Sequence, residues 1–213
     1  MTTSPRVVLV NGLWLTNIAL GRLARRLASA GFAPRRFSYR SVRNDLRANA
    51  AALQSLLDTL PDESIHFVAY SLGGLVLRAL FHFYPEQRPG RIVLIGSPQQ
   101  DNAAARNMIR SRLGRRLLGA SIADLVAGRP QDWEWPAREI GVIAGNRSLG
   151  LGRLVSPLPV PNDGTVTVEE TTVAGASGRL ILPVWHSGLL MSAEVASATS
   201  QFLHTGRFPD PGN

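Results

Sequence analysis

Ser71 stands in the run Ala69-Tyr70-Ser71-Leu72-Gly73, where the strand-like stretch Ile65-His66-Phe67-Val68 gives way to a helix-like apolar stretch. A serine at so sharp a turn needs small residues two before and two after it, because backbone and neighbouring elements crowd there. Ala69 and Gly73 meet that need, and Gly74 leaves further room. The turn would lift the hydroxyl above the sheet edge and aim it at the positive end of the following helix. A hydroxyl is a poor nucleophile until a neighbouring base removes its proton. That base must be neutral near physiological pH and become a good acid once protonated, which favours histidine. His186 is the candidate, because it follows the apolar stretch Leu180-Ile181-Leu182-Pro183-Val184 and so emerges at the same sheet edge as Ser71. His66 lies inside the strand before the serine and reads as structural, and His82 and His204 lie late in helices and read as surface residues. An imidazole doing this work needs a carboxylate to fix its tautomer and stabilise its charge. Asp163, in the turn Asn162-Asp163-Gly164, can present one. The same triplet is also ordinary turn chemistry, and Asp101 and Asp124 are the alternatives.

The elements that must position these groups alternate. Short apolar runs predict strands near 6–10, 33–39, 64–69, 91–96, 139–144 and 179–184, separated by helical patterns, which is the arrangement of a parallel α/β sheet. Leu20, Leu23, Ala24 and Leu27 recur at helical spacing, as do Leu46, Ala50, Leu53 and Leu57. Pro61 closes the second of these helices, and Pro85 closes the helix after the serine. The latter is apolar nearly all round, at Leu72, Leu75, Val76, Ala79, Leu80 and Phe83, and is therefore expected to be buried between sheet and neighbours. Residues 101–127 predict one or two arginine-rich helices, and 145–162 a Gly- and Pro-rich surface loop delivering Asp163.

Four segments taken together resemble the α/β-hydrolase superfamily, in particular its compact bacterial lipase- and esterase-like members. They are Val7-Val8-Leu9-Val10-Asn11-Gly12-Leu13-Trp14, the serine turn, Asn162-Asp163-Gly164-Thr165-Val166, and Trp185-His186-Ser187-Gly188-Leu189-Leu190. The resemblance implies an α/β-hydrolase fold in minimal form: a roughly six-stranded, mainly parallel sheet with helices on both faces. It implies a single domain over 1–213, with a small lid-like helical segment at 101–135 or none. It also implies a Ser71, Asp163, His186 triad in the chain order of that superfamily. The backbone N–H groups of Leu13 and Leu72 would form the oxyanion hole. Trp14, Leu189 and Leu190 would line an apolar acyl pocket; as residues, they fit an ordinary core equally well. Two positions depart from the common pattern, Asn11 before Gly12 and Tyr70 before Ser71, where histidines are usual. Neither supplies nucleophile, base or acid, so the departures bear on the pocket floor.

Composition narrows the partners. With 213 residues and 45% apolar content the chain can bury a substantial core. There is no cysteine, which excludes disulfides, thiolate metal sites and a cysteine nucleophile. The four histidines, at 66, 82, 186 and 204, lack metal-ligand spacing, so no metal and no cofactor is expected. The net charge of +8 comes from arginine alone, lysine being absent. These arginines fall on polar helix faces, such as Arg22, Arg25 and Arg26 or Arg110, Arg112, Arg115 and Arg116, without an aromatic platform or a DNA-binding motif, so nucleic acid is not an expected partner. A weak association with anionic membrane surfaces would suit an enzyme acting on lipid. No membrane-spanning run or secretory signal is visible, which makes the cytoplasm the expected location. The expected function is hydrolysis of apolar carboxylic esters, from small molecules or lipids, through an acyl-enzyme. Acyl transfer, thioester cleavage and a silent binding scaffold are the alternatives.

Overall fold

The computed structural model describes residues 4–13, 18–100, 120, 121, 124, 132–149 and 158–209. Trp14, Asp101, and nearly all of the 101–135 segment with its arginines lie outside the described residues. Six strands build one sheet: β1 (Arg6–Val10), β2 (Ala33–Phe37), β3 (Ile65–Tyr70), β4 (Ile92–Ile95), β5 (Ile140–Gly145) and β6 (Gly178–Leu182). Their spatial order is β2-β1-β3-β4-β5-β6, and every pairing is parallel. Each strand predicted from the sequence occurs, within two residues of its expected bounds. The described helices are α1 (Gly21–Ser29), α2 (Leu46–Asp58), α3 (Gly73–Phe83) and α4 (Ala193–Thr205). None of them is long and apolar enough to cross a membrane.

The pleat divides the core into two layers, because successive strand side chains point to opposite faces. On β1, Val8 and Val10 pack with α2 and α3, whereas Val7 and Leu9 pack with α1 and α4. Central strands β3, β4 and β5 are buried on both faces, as parallel strands covered by helices must be. The edge strand β2 differs, since it carries Pro34 and the exposed Arg35 and Arg36, which discourage pairing with another chain. Asp45 caps α2 by accepting the Ala48 N–H at 2.7 Å, a contact that contributes about 1 kcal/mol. Asp124 is committed to the same helix end, accepting the Leu46 N–H at 3.1 Å.

What positions the site is the point where the strand order reverses. From β1 the chain crosses to β2 on one side, and later returns to β3 on the other. A crevice opens at the carboxyl ends of such neighbouring strands. Val10 lies level with Ala69, and Tyr70 level with Ile95, so the loops after β1, β3 and β4 leave the sheet side by side.

His66 stays within β3, as its place in the sequence predicts. Its Nδ1 accepts the Arg91 N–H at 3.0 Å, and its ring meets Phe32 edge-on at 6.0 Å. Burial, then the charges of Arg91 and His204, lower its pKa from 6.5 to about 4. The unfolded chain therefore binds a proton between about pH 6.5 and pH 4 that the folded protein refuses, so stability falls as pH falls through this window. In His66→Asn an amide oxygen can replace Nδ1 as acceptor without titrating. The thermal midpoint of that variant is expected to fall less steeply over the same window than that of the wild type; equal slopes would refute the assignment.

Candidate active site

Ser71 occupies the turn between β3 and α3 with φ 51°, the one described non-glycine residue in the left-handed region. Such a conformation persists because the surroundings hold it. The Ser71 N–H donates to Ile95 O at 3.0 Å, and its carbonyl accepts from the Gly74 N–H at 3.1 Å. Close packing explains the small residues that follow. A Cβ on Gly73 would lie 2.5 Å from both Val10 O and Asn11 O, so α3 can begin against the end of β1 only with glycine there. A Cβ on Gly12 would lie 3.0 Å from the Tyr70 ring and 3.1 Å from Ser71 Cβ, which places the loop after β1 directly over the serine turn.

His186 opens a short 3-10 turn, His186–Leu190, after β6. Its Nε2 lies 3.0 Å from Ser71 Oγ, and its Nδ1 lies 2.7 Å from Asp163 Oδ2. The three residues named from the sequence are thus brought into one hydrogen-bonded line, across 115 residues between serine and histidine and 23 between histidine and aspartate. Asp163 is 1% exposed, and the His186 side chain 12%. The buried carboxylate is fully engaged. Its Oδ1 accepts the N–H groups of Thr165 at 2.9 Å and Val166 at 2.8 Å, leaving Oδ2 for the imidazole. The Asp163 carbonyl also accepts the His186 N–H at 2.9 Å, which ties the two loops together. Gly164 has φ +93°, a conformation that the turn delivering Asp163 requires of its next residue. Downstream, Thr167 and Glu170 form a reciprocal capping box, Thr167 N–H to Glu170 Oε2 at 2.8 Å and Glu170 N–H to Thr167 Oγ1 at 3.1 Å.

The remaining site positions divide. Leu13 and Leu72 flank the serine turn, and neither backbone N–H donates to a partner among the described residues. The Leu72 side chain is buried and that of Leu13 partly so, both against the α2/α3 layer. Leu189 and Leu190 belong to the core, at 0% and 5% exposure. They pack in the α1/α4 layer, and Leu189 Cδ1 would lie 2.7 Å from a Cβ placed on Gly96. Both side chains thus pack into the core around the histidine turn. Trp185 and Met191, which flank this turn at its two ends, are 42% and 47% exposed.

Tyr70, one of the two departures, has a defined task. Its hydroxyl donates to the main-chain carbonyl of His186 at 3.1 Å, and its ring centroid lies 5.1 Å from the imidazole. Burial, and then the charge of Asp163, push its phenol well above the ordinary tyrosine value, so it remains a donor. Asn11, the other departure, is buried; its Nδ2 donates to Ser38 Oγ at 2.9 Å, and its carbonyl accepts the Tyr39 hydroxyl at 2.9 Å. Sequence reasoning missed Gly96, which has φ +53°. A Cβ there would sit 3.3 Å from His186 Nδ1 and 3.4 Å from Asp163 Oδ2, so this glycine forms the floor under the acid–base pair. The available signal was the small pair Gly96-Ser97 directly after a strand of the same sheet. Among the described residues no group of three or more His, Asp or Glu side chains is placed to hold a metal ion.

This arrangement can raise the nucleophilicity of a hydroxyl and return its proton to a leaving group. The alpha/beta hydrolase family model matches residues 7–204, and the chain belongs to that family. No curated protein matches the sequence. Among solved structures, the Bacillus licheniformis lipase BlEst2 in mature form superposes with a TM-score of 0.79 at 17% identity, covering 96% of this chain and 92% of that one. The metagenomic carboxyl esterase MGS0156 gives 0.70 at 18% identity, over 87% of this chain and 65% of that one. The monoacylglycerol lipase of Paleococcus ferrophilus gives 0.66 at 15% identity, over 95% and 96%. At such identities these likenesses show the fold.

Proposed function

We propose that the protein is a serine hydrolase of carboxylic esters. The observation that carries this reading is the unbroken line Ser71 Oγ–His186 Nε2 at 3.0 Å and His186 Nδ1–Asp163 Oδ2 at 2.7 Å, built on a serine held in the left-handed conformation. Ser71 attacks the ester carbonyl while His186 takes its proton, and Asp163 holds the imidazole with Nε2 free to accept. The oxyanion that forms is held by the Leu13 and Leu72 N–H groups, which are uncommitted to other described partners. His186 then protonates the departing alcohol. It next deprotonates water, which attacks the acyl-enzyme and releases the acid and Ser71. No cofactor enters these steps. The names of the similar structures, two lipases and a carboxyl esterase, agree with an ester substrate. The exposed Trp185 and Met191, at the two ends of the His186–Leu190 turn, favour an apolar acyl group.

The test is hydrolysis of p-nitrophenyl acetate, butyrate and octanoate, with intact mass recorded after exposure to a fluorophosphonate. A single adduct with turnover that depends on acyl length is expected. A single adduct without turnover would shift the reading to acyl transfer or thioester cleavage by the same residues. Neither adduct nor turnover would leave a binding scaffold.

A further inference from the structure

We infer that Ser97 is a positioning residue, which aims the Leu72 N–H at the oxyanion by fixing the peptide group that carries it. The inference rests on the serine-hydrolase reading above. Ser97 follows β4 and is buried, and its Oγ lies 2.7 Å from the carbonyl oxygen of Ser71. A carbonyl has no proton to give, so a contact this short requires the single Ser97 proton to point at Ser71 O. Ser71 C=O and Leu72 N–H belong to one planar trans peptide and point in opposite directions. Holding the oxygen on the inner side therefore turns the N–H toward the outer side, where the ester would sit.

The proton of Ser97 is itself directed. Gln99 Nε2 donates to Ser97 Oγ at 2.8 Å, so the hydroxyl faces a donor there and has Ser71 O as its acceptor. Gln99 is buried, and its backbone is fixed at both ends. Its N–H donates to Glu170 O at 2.7 Å, and its carbonyl accepts from Arg78 Nη1 at 3.0 Å. Arg78 also donates from Nε to Trp133 O at 2.7 Å. The relay thus runs from α3 and the capping box beyond Asp163 to the back of the serine turn. Gly74 completes it, because a Cβ there would lie 2.0 Å from Ser97 Oγ and exclude the hydroxyl. An N–H aimed at charge that develops only in the transition state affects kcat and leaves ground-state binding alone.

The experiment uses the full chain with Ser97→Ala, and with Ser97→Ala/Gln99→Leu to remove the donor that the single change would orphan. Because the Gly74 N–H still holds the Ser71 carbonyl, kcat is expected to fall by about 10- to 100-fold, less than for outright loss of an oxyanion donor. KM is expected to hold. Affinity for a trifluoromethyl ketone, whose hemiketal oxygen occupies the oxyanion position, should fall with kcat, while affinity for the carboxylic acid product should not. The double variant should recover thermal stability without recovering kcat. Wild-type kcat and ketone affinity in both variants would overturn the inference, as would parallel losses in kcat, product binding and stability. If the wild type forms no fluorophosphonate adduct, the hydrolase reading fails and this inference falls with it. If wild type and both variants label at equal rates, the inference alone fails.

Discussion

Ser71→Ala is expected to lower kcat on p-nitrophenyl esters by about a million-fold, the scale at which a serine hydrolase loses its nucleophile. The loss is nearly total because, among the described residues, no other hydroxyl is in line with the base: His186 Nε2 faces Ser71 Oγ at 3.0 Å. What remains should be the acceleration from binding and oxyanion stabilisation, which persists when a triad member is removed. The fold should survive. Ser71 is already a non-glycine residue at positive φ, and its backbone contacts to Ile95, Gly74 and Ser97 do not involve the hydroxyl. A fluorophosphonate should leave the variant unmodified, with a thermal midpoint near that of the wild type. Retained turnover, or an adduct on another residue, would move the nucleophile elsewhere and undo the assignment.

Asp163→Asn is expected to cost about 10,000-fold in kcat, as tautomer reversal does in serine proteases. Oδ1 accepts two backbone N–H groups, from Thr165 and Val166. Those donors hold the side-chain oxygen of the asparagine on their side, which turns its NH2 toward His186 Nδ1. A donor facing Nδ1 forces the imidazole proton onto Nε2, where it faces Ser71 Oγ and cannot accept. The turn itself should persist, because both backbone donors keep their oxygen. Asp163→Ala would be a poorer probe, since it orphans both N–H groups, the buried one of Val166 at about 1–3 kcal/mol. The asparagine would precede Gly164, a pairing prone to deamidation, so intact mass must accompany the assay. A variant of confirmed mass with activity within tenfold of the wild type would show that His186 needs no acid here.

The sheet was legible because its strands are short apolar runs at even spacing, and six such runs appear as six strands. Ser71, Asp163 and His186 were legible because each sits in a local pattern that turn chemistry constrains. Gly96 and Ser97 were not. Their importance comes from contacts with residues far along the chain, His186 among them, and a small pair after a strand is common in any sheet. Tyr70 reads from sequence only as a departure; its bond to the His186 carbonyl spans 116 residues. Leu189 and Leu190 show the reverse problem. An apolar residue beside the histidine turn reads the same whether it faces a ligand or the core, and the core packing of these two becomes visible only in the fold. The last two residues of the stretch predicted at 33–39 fall beyond β2, where Ser38 and Tyr39 leave the ladder to bond Asn11.

The burial of α3 has a wider consequence. The helix that starts just after Ser71 and Leu72 is enclosed from Gly73 to Phe81. Its interior residues, such as Val76 and Leu80, are fully buried, and a defect in their packing is expected to reach the serine and the N–H beside it. Sensitivity to substitution in this protein will therefore spread along a stem of oily residues leading away from the chemistry. A map of function drawn by mutagenesis would be broader than the set of atoms that react.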